Sequence, residues 1–355
     1  MEKSFDVYII STREDNQQTI NNVTVDSFNG NSFSYKKTIS TVVEKLSHIS
    51  PDVIICDYPI AVIAAKHYTR SKKVPIIYEV TEWYPSKKNL TNKNIIIKTI
   101  KSILLIVINL YSGLLCDQFI FGEYYKSLPF KIFFWKRKYH IPYYFDAEYL
   151  TTYPVNQFID KEINCLYSGL INKNKGIENI IKAINYAASI KNETIFKLTI
   201  IGKFETDVDR IEFEKLTKNP HKNFSFVLIN NLSFTEYCKI IGNYDIYFDL
   251  REKDVENNHC LPIKLFLYTA CERPVIYSNL KSIQKEIKDH TAGYFCAPDN
   301  KKDIAMRLIY YINNKESYFE HCRLAKAIYK EKYCWETIKN NLLEAVNYTD
   351  TDSSA

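Results

Sequence analysis

Glycine and lysine occur together at a junction in the second half of the chain. Residues 167–176 read YSGLINKNKG, so that Gly169 and Gly176 frame a short loop and Lys175 lies just before the second glycine. A buried strand is predicted before this loop and an amphipathic helix after it. Backbone amides at the start of a helix favour a bound anion, and lysine adds positive charge. We therefore predict a phosphate site here, and a diphosphate would fit it.

A second junction of the same kind follows at residues 259–276, HCLPIKLFLYTACERPVI. Pro262 suits the first position of a helix, so the amides around Cys260 and Leu261 would be available to oxygen anions, and Lys264 would lie within the first turn. Solvated surface lysines and ordinary turn glycines are the alternatives. We predict that both junctions face one crevice and hold one pyrophosphate together.

The elements that position these junctions alternate between short apolar runs and amphipathic stretches, which predicts an α/β fold with parallel sheets. The pattern occurs twice, and 355 residues exceed one ordinary core. We predict two Rossmann-like doubly wound domains facing across a cleft. Residues 1–155 would form the first domain and 156–334 the second, with a polar linker within 151–162. Residues 335–355 would form a helix packing back toward the first domain, and a frayed tail.

Eleven strands and five helices are predicted from these patterns. The strands lie at 5–10, 52–56, 74–80, 118–121, 131–135, 165–168, 198–201, 224–229, 245–250, 274–277 and 293–296. The helices lie at 41–49, 60–70, 94–115, 177–190 and 335–346.

Composition excludes several classes of protein. The net charge of +6, from 47 basic and 41 acidic side chains, is too small and too dispersed to predict nucleic-acid binding. Nine cysteines without a CxxC pair predict reduced thiols in a cytoplasmic protein, and the start of the chain does not resemble a signal peptide. The sequence contains no HExxH or GxSxG motif, which disfavours zinc hydrolases and serine esterases.

From residue 163 to 345 the sequence resembles the C-terminal domain of GT-B glycosyltransferases, in particular retaining family 4. The matching pieces are YSGLINKNKG followed by IENIIKAI, LTIIGK, YDIYFDLREKD, LPIKLFLYTACERPVIYS, AGYFCAPDN and CWETI. The first half is similar in a looser way through PDVIICDYPIAVIAA and VPIIYEVTEWYP. The resemblance implies transfer of a sugar from a nucleotide diphosphate sugar, held by the second domain, to a glycan or lipid-linked acceptor held by the first. Surface polysaccharide assembly would be the process.

The resemblance also implies roles for individual residues in donor binding. Lys175 matches the lysine that contacts the donor diphosphate, and Gly169 and Gly176 match the glycines that frame its loop. Pro262 and Lys264 match a P-x-K form of the donor-loop motif. Arg251 lies where some relatives place a basic residue before that loop. Because enzymes of this kind hold the leaving diphosphate without a metal, no cofactor or metal is expected.

Several positions depart from the family pattern. Leu170 replaces an arginine, His259 and Leu267 replace a pair of glutamates, and Glu272 replaces the glycine that follows the cysteine of the ACG piece. Thr81 replaces a histidine in the first domain. Two alternatives therefore stay open: a catalytically silent GT-B protein that acts as a partner or scaffold, and a nucleotide-sugar epimerase of the same architecture.

Candidate acceptor-side residues follow two predicted strands of the first domain. Glu82 is the candidate catalytic base, with Glu79, Thr81 and Asp57 nearby. In a front-face retaining mechanism the departing phosphate could accept the proton instead. A charged residue that caps the loop after a buried strand is the alternative for Glu82. The DxD-like sequence 207–209 is predicted to begin a solvated helix and not to bind a metal.

Two further stretches combine apolar and basic residues. Residues 95–115 are apolar with Lys98 and Lys101 near the start, and the uncharged span 102–115 is too short to predict a membrane crossing. Residues 130–140, FKIFFWKRKYH, suit the surface of an anionic membrane. A buried crossover helix and a strand with a basic exit are the alternatives. We hypothesise that the first domain rests on the inner face of the plasma membrane, as a peripheral cytoplasmic protein, to reach a lipid-linked acceptor.

Overall fold

The computed structural model describes residues 5–12, 17–20, 23–30, 33–82, 85, 90, 94–230, 232–287 and 291–347. The chain forms two compact units: one contains the chain up to Pro142 together with the segment from Asn340, and the other runs from Tyr143 to Lys339. The division precedes the predicted boundary at 155. The predicted linker lies inside the second unit, where Arg273 Nη2 donates to the carbonyl oxygens of Tyr153 (2.7 Å) and Pro154 (3.0 Å).

Within the residues described, the first unit contains seven strands in two sheets. They are β1 (Tyr8–Ser11), β2 (Gln17–Ile20), β3 (Val23–Ser27), β4 (Ile54–Cys56), β5 (Ile76–Val80), β6 (Gln118–Phe121) and β7 (Lys138–His140). One sheet has the order β1-β3-β2, with β2 antiparallel to β3. The other is parallel throughout, with the order β4-β5-β6-β7. The helices that accompany them are α1 (Tyr35–Ile49), α2 (Pro59–Tyr68), α3 (Ile95–Leu115) and α4 (Tyr124–Ser127).

The second unit is a single six-stranded parallel sheet with helices between its strands. Its strands are β8 (Glu162–Ser168), β9 (Ile195–Ile201), β10 (Phe224–Ile229), β11 (Ile246–Asp249), β12 (Val275–Ser278) and β13 (Gly293–Cys296). Its helices are α5 (Ile177–Ile190), α6 (Asp207–Leu216), α7 (Phe234–Ile240), α8 (Lys264–Ala270), α9 (Lys281–Ile287), α10 (Lys301–Asn313) and α11 (Lys315–Ile328). The last helix, α12 (Lys339–Asn347), belongs from Asn340 to the first unit.

Alternate side chains of β8 show that this sheet is covered on both faces. Cys165 and Tyr167 pack in one hydrophobic cluster with α5 and α10, whereas Leu166 packs in another with α8. Because successive side chains of a strand point to opposite faces, each cluster occupies its own side of the sheet. The α/β, doubly wound architecture predicted from the apolar runs is confirmed in this unit.

The order of the strands fixes where a ligand would bind. The sheet runs β10-β9-β8-β11-β12-β13, so the chain first builds outward from β8 and then continues on its other side from β11. Parallel doubly wound sheets bind ligands beyond the carboxyl ends of the strands where this direction reverses. The loops after β8 and β11 therefore flank the expected crevice of this unit.

One predicted strand is wrong. Residues 131–135 do not form a strand: a 3-10 turn covers Leu128–Ile132, and the strand comes later, at Lys138–His140. Phe130 and Phe133 are both buried and both contact the site where Gly113 of α3 lacks a side chain. Their spacing of three residues is that of a 3-10 turn, which places both rings on one side.

Candidate functional site

The carboxyl ends of β8 and β9 meet through two glycines. Gly169 has a φ of +134°, and its N–H donates to Ile201 O at 2.8 Å. A Cβ on Gly202 would lie 1.8 Å from Gly169 O, so only a residue without a side chain fits there. Gly169 is exposed and Gly202 half-buried at these strand ends, beside the switch point between β8 and β11.

The loop that follows is fixed against the end of β11. Asn172 Oδ1 accepts the N–H of Lys175 at 2.9 Å, which closes the 3-10 turn Lys173–Lys175. Gly176 ends that turn with a φ of +79°, and a Cβ there would lie 1.9 Å from Leu250 O. Glu252 N–H also donates to Asn174 O at 3.0 Å. The position of Lys175 is thus set by backbone packing against the next strand.

Two cations contact one buried carboxylate at this edge, and the charge of a third, Lys175, also acts on it. Asp249 ends β11 and is fully buried. Arg251 Nε lies 3.1 Å from Asp249 Oδ1, and Lys264 Nζ lies 3.5 Å from Asp249 Oδ2. Lys264 Nζ also donates to Ser168 O at 2.7 Å, so the lysine of the second junction reaches the first. The two junctions singled out in the sequence therefore meet within this unit.

The protonation states follow from burial and from these charges. Burial alone would raise the pKa of Asp249, but Arg251, Lys264 and Lys175 hold it below its ordinary value, so the carboxylate is ionised. Burial lowers the pKa of Lys264, and the carboxylate of Asp249 opposes that shift. With one negative and three positive charges, the cluster retains a positive excess, which suits an anion.

The second junction differs from its prediction in detail. Helix α8 begins at Lys264 and not at Pro262, so the amides of Cys260 and Leu261 precede the first turn. Leu261 packs its side chain in the hydrophobic core. The carbonyl oxygen of Cys260 accepts from Arg251 Nη2 at 3.0 Å, which ties Arg251 to this loop. Leu267, at the position of a family glutamate, is buried among the same apolar residues.

Sequence reasoning missed the groups that hold this site together. Asp249 was not singled out, although an acidic residue at the end of the apolar run IYFD signals a buried charge that needs partners. Ser168 Oγ lies 2.7 Å from Tyr268 Oη and 2.8 Å from Tyr237 Oη. No pattern in the sequence indicates that network, because its members come from three separate elements.

In the first unit, the acceptor-side candidates lie at the ends of β4 and β5. Thr81 Oγ1 donates to Asp57 O at 3.1 Å, which joins the two strand ends. Lys126 Nζ donates to Thr81 O and lies 2.5 Å from Glu123 Oε1, a buried ion pair that the sequence did not reveal. Glu82 follows Thr81 and is exposed, whereas Glu79 lies half-buried on β5. Of the four acceptor-side candidates, Asp57 and Thr81 are therefore in direct contact with each other.

The DxD-like acids begin α6 as capping residues. Asp209 Oδ2 accepts the N–H of Thr206 at 3.0 Å, and Asp207 Oδ1 pairs with Arg210 Nη2 at 3.1 Å. Both acids therefore stabilise the helix start, where negative charge is favourable. Throughout the described ranges, no group of three His, Cys, Asp or Glu side chains is arranged to hold a metal ion.

Comparison with known families and structures agrees with this architecture. The model of a family described as glycosyl transferases group 1 matches residues 152–330, just over half of the chain. No curated protein sequence matches the chain.

Solved structures of similar fold have low sequence identity. HepE from Anabaena, in complex with UDP-glucose, is 13% identical with a TM-score of 0.65, covering 91% of this chain and 85% of HepE. Sucrose-phosphate synthase from Thermosynechococcus elongatus is 14% identical with a TM-score of 0.68, covering 99% of this chain and 90% of the synthase. An Escherichia coli trehalose-6-phosphate structure, bound with UDP-2-fluoro glucose, is 11% identical with a TM-score of 0.66. The match covers 96% of this chain and 91% of that protein.

These solved structures share the fold of this chain at identities too low to transfer a ligand or a residue role. The family match is different in kind, because it spans the whole sheet of the second unit from β8 to β13. The chain therefore belongs to the glycosyl transferases group 1 family and is a glycosyltransferase of GT-B fold.

Proposed function

We propose that the second unit binds the diphosphate of a nucleotide sugar at the carboxyl ends of β8 and β11. The observation that carries this proposal is the cluster of Lys175, Arg251 and Lys264 around the single carboxylate of Asp249. A leaving diphosphate gains negative charge as the glycosidic bond breaks, and fixed positive charge lowers the energy of that state. Gly169 is exposed beside this charge, and a Cβ on it would lie 3.3 Å from Lys264 Nζ.

The three cations have different tasks in this proposal. Arg251 is buried, and its guanidinium is held by Asp249 and by Cys260 O, so it sets the local potential and orients the loop. Lys264 and Lys175 are only partly buried and lie at the loops nearest the strand ends. We assign the direct contacts with the diphosphate to these two lysines, at the loop that Gly169 and Gly176 frame and at the loop that contains Cys260 and Leu261. The N–H groups of Gly169 and Gly176 already donate to Ile201 O and Lys173 O, so the glycines would provide space for the phosphates.

The acceptor chemistry is proposed for the first unit. The first unit would hold a glycan or lipid-linked acceptor near Asp57, Glu79, Thr81 and Glu82, in cytoplasmic assembly of a surface polysaccharide. Transfer would proceed with retention and without a metal, since lysine charge replaces the metal at the diphosphate. The acceptor proton would pass to Glu82 or to the leaving phosphate. Support for these points comes from the family resemblance and from the strand-end positions of the four residues.

Donor binding is tested by comparing two neighbouring lysines. UDP and UDP-glucose are the first probes, because the HepE structure contains UDP-glucose. Lys175→Ala should weaken UDP binding in calorimetry by about tenfold or more, since it removes a charge-assisted contact. Lys173→Ala is the matched control: this exposed lysine lies in the same turn, and its loss should leave the affinity nearly unchanged.

The melting temperature of both variants should equal that of the wild type. Equal affinity in the two variants would remove Lys175 from the site. Absence of binding for every uridine, guanosine and other nucleotide sugar tried would contradict the donor proposal and favour the scaffold alternative.

The proton acceptor is tested by Glu82→Gln, assayed once a donor and an acceptor are identified. A general base at this position contributes about a hundredfold or more to kcat, with the donor affinity unchanged. A kcat within a few-fold of the wild type would assign proton acceptance to the leaving phosphate. The configuration of the product, observed by NMR, decides between retention and inversion.

A further inference from the structure

Helix α3 has its polar side toward the protein and its apolar side toward solvent. The buried stripe contains Asn109, whose Oδ1 accepts from Tyr78 Oη at 2.6 Å, and Ser112, whose Oγ donates to Pro59 O at 3.0 Å. Gly113 continues that stripe and packs on Phe130 and Phe133. A helix of a soluble protein has the opposite arrangement, because its apolar side normally joins the core.

The outer side of α3 is a continuous apolar surface. Ten large apolar side chains of this helix are between 39% and 73% exposed. They include Ile96, Ile100, Ile103, Val107 and Leu114, which recur at spacings of three, four and seven residues and so share one face. A contiguous apolar patch of this kind on a soluble unit marks a surface that something covers.

A loop of aromatic residues extends this surface at the end of the helix. Lys136 Nζ donates to the carbonyl oxygens of Gly113 (2.9 Å) and Leu114 (2.7 Å), so it caps α3 and fixes the loop beside it. Phe133 is buried, whereas Phe134 (84%) and Trp135 (59%) are exposed. Aromatic side chains that flank an apolar face are typical of the boundary between lipid tails and headgroups.

The topology determines how α3 could meet a bilayer. By length and composition it is the one helix in the described part of the chain that could span a membrane. Only 11% of its most apolar stretch of 18 residues is buried in the protein. However, α3 connects β5 to β6, which pair in parallel with Ile77 opposite Gln118. Both ends of the helix therefore return to one sheet, and a crossing would separate paired strands. Only an orientation in the plane of the membrane surface is compatible with this fold.

Charge indicates which partner covers the surface. Residues 94–140 contain seven basic and two acidic side chains, and α3 itself contains no acid. Of the two acids, Glu123 pairs with Lys126, and Asp117 accepts the N–H of Ile76. Lys101 on α3 and Lys131 beside Ile132 are exposed, and Arg137, also exposed, lies 3.8 Å from Glu344 Oε1. A symmetric dimer through this face would place like charges against each other, whereas anionic headgroups would neutralise them.

We propose that α3, together with Ile132, Phe134 and Trp135, inserts into the surface of an anionic bilayer as an in-plane anchor. The apolar face would enter the acyl boundary, and the basic rim would contact the headgroups. The first unit then binds the membrane by its own surface, independently of any sugar donor or acceptor. This surface differs from the basic segment 130–140 that the sequence suggested. Within that segment, Lys136 and Lys138 donate hydrogen bonds to backbone carbonyl oxygens and so are held against the protein.

Vesicle flotation with the full-length protein tests the proposal. The protein should float with vesicles of phosphatidylcholine and phosphatidylglycerol, and less with phosphatidylcholine alone or at high salt. Val107→Glu should weaken vesicle binding by about tenfold or more, because it places a charge in the apolar face. Val208→Glu is the matched control, since Val208 is a similarly exposed valine on α6 of the second unit. UDP binding by both variants should be unchanged.

Insertion is distinguished from mere electrostatic attraction by tryptophan emission. A Trp83→Phe/Trp335→Phe variant retains Trp135 alone, and its emission should shift to the blue on adding the anionic vesicles, with quenching by brominated lipid. No flotation and no blue shift would overturn the proposal. A dimer in sedimentation velocity that Val107→Glu dissociates, without vesicle binding, would overturn it in favour of a second copy of the chain.

Discussion

Glu272 lies at the position where the family pattern has a glycine, and its backbone shows why glycine is preferred there. Its φ is +59°, in the left-handed region that costs a residue with a side chain about 1 kcal/mol or more. Its carboxylate pairs with Lys326 Nζ at 2.8 Å, a partly exposed contact that contributes little to stability. This departure from the pattern is therefore a matter of backbone conformation and leaves the chemistry of the donor site untouched.

Replacing Glu272 by glycine should stabilise the protein. We expect Glu272→Gly to raise the free energy of unfolding by about 1 kcal/mol, because relief of the left-handed strain exceeds the loss of the ion pair. Urea denaturation measures the change. Glu272→Ala serves as control, since it loses the ion pair and keeps the strain, so it should be no more stable than the wild type. Equal stability of the two variants would contradict this explanation.

Asp249 should be the most important single acid for the donor site. Asp249→Asn keeps the shape but leaves Arg251 and Lys264 without their buried counter-charge, so we expect a loss of about 3 kcal/mol in unfolding free energy at neutral pH. Because the pKa of Asp249 is lowered in the fold, its stabilisation is present above the unfolded pKa of about 4. It is lost as the pH falls from that value through the lower pKa of the folded state.

The pH dependence provides the check on this assignment. The stability difference between wild type and Asp249→Asn, followed by urea denaturation, should shrink as the pH falls below about 4. A difference that stays constant down to pH 2 would show that the carboxylate has some other role, such as packing.

At the scale of elements, the apolar runs predicted most of the second unit and less of the first. Residues 224–229, 293–296 and 177–190 were predicted with the bounds that β10, β13 and α5 have. Each of these segments packs apolar side chains in the core of the second unit, so its hydrophobic pattern is present in the sequence. Strand β2 is QQTI, with no apolar alternation, and pairs only at a sheet edge, which is why it was not predicted.

Helix α3 shows the opposite limitation, because its existence was predicted but its orientation was not. An almost wholly apolar helix has no unique inner side in its sequence, and the buried crossover helix remained an alternative. The orientation of the helix is fixed by Asn109 and Ser112, whose side chains form hydrogen bonds with Tyr78 on β5 and Pro59 on α2. The donor site could likewise be predicted only in part. Its lysines were identified from sequence motifs, whereas the role of Asp249 depends on contacts with Arg251 and Lys264 that only the structure shows.

A prediction about α3 follows from its buried polar stripe. Asn109→Ala should lower the free energy of unfolding by about 1–3 kcal/mol, because it removes the buried hydrogen bond between Tyr78 Oη and Asn109 Oδ1. Ile103→Ser, on the exposed side, should change it by less than about 0.5 kcal/mol in the absence of lipid. Thermal denaturation compares the two variants. The Tyr78→Phe/Asn109→Ala double variant should lose less than the sum of the single losses, and full additivity would argue against the bond.

At the scale of the whole molecule, none of the nine cysteines forms a disulfide, and seven are buried. Burial raises the pKa of Cys116, Cys271, Cys296 and Cys322 to about 12. Since the thiolate is the reactive form, these thiols should be inert in the native protein at neutral and mildly basic pH.

Ellman's reagent tests this expectation. At pH 8 we expect rapid reaction of at most two thiols, those of Cys260 and Cys334, and reaction of all nine after denaturation. Serine variants of these two cysteines should abolish the rapid phase. Rapid modification of more than two thiols in the native protein would show that one of the units opens readily.

The first unit has a discontinuous chain, with consequences for its biosynthesis. Gln118 Nε2 donates to Ala345 O at 2.5 Å, and Ala345 is fully buried in α12. A ribosome releases the first part of this unit long before it releases residues 340–347, and the complete second unit emerges in between. The part of the protein translated first is thus completed last, and a nascent chain that stalls before residue 340 leaves its early strands without the closing helix.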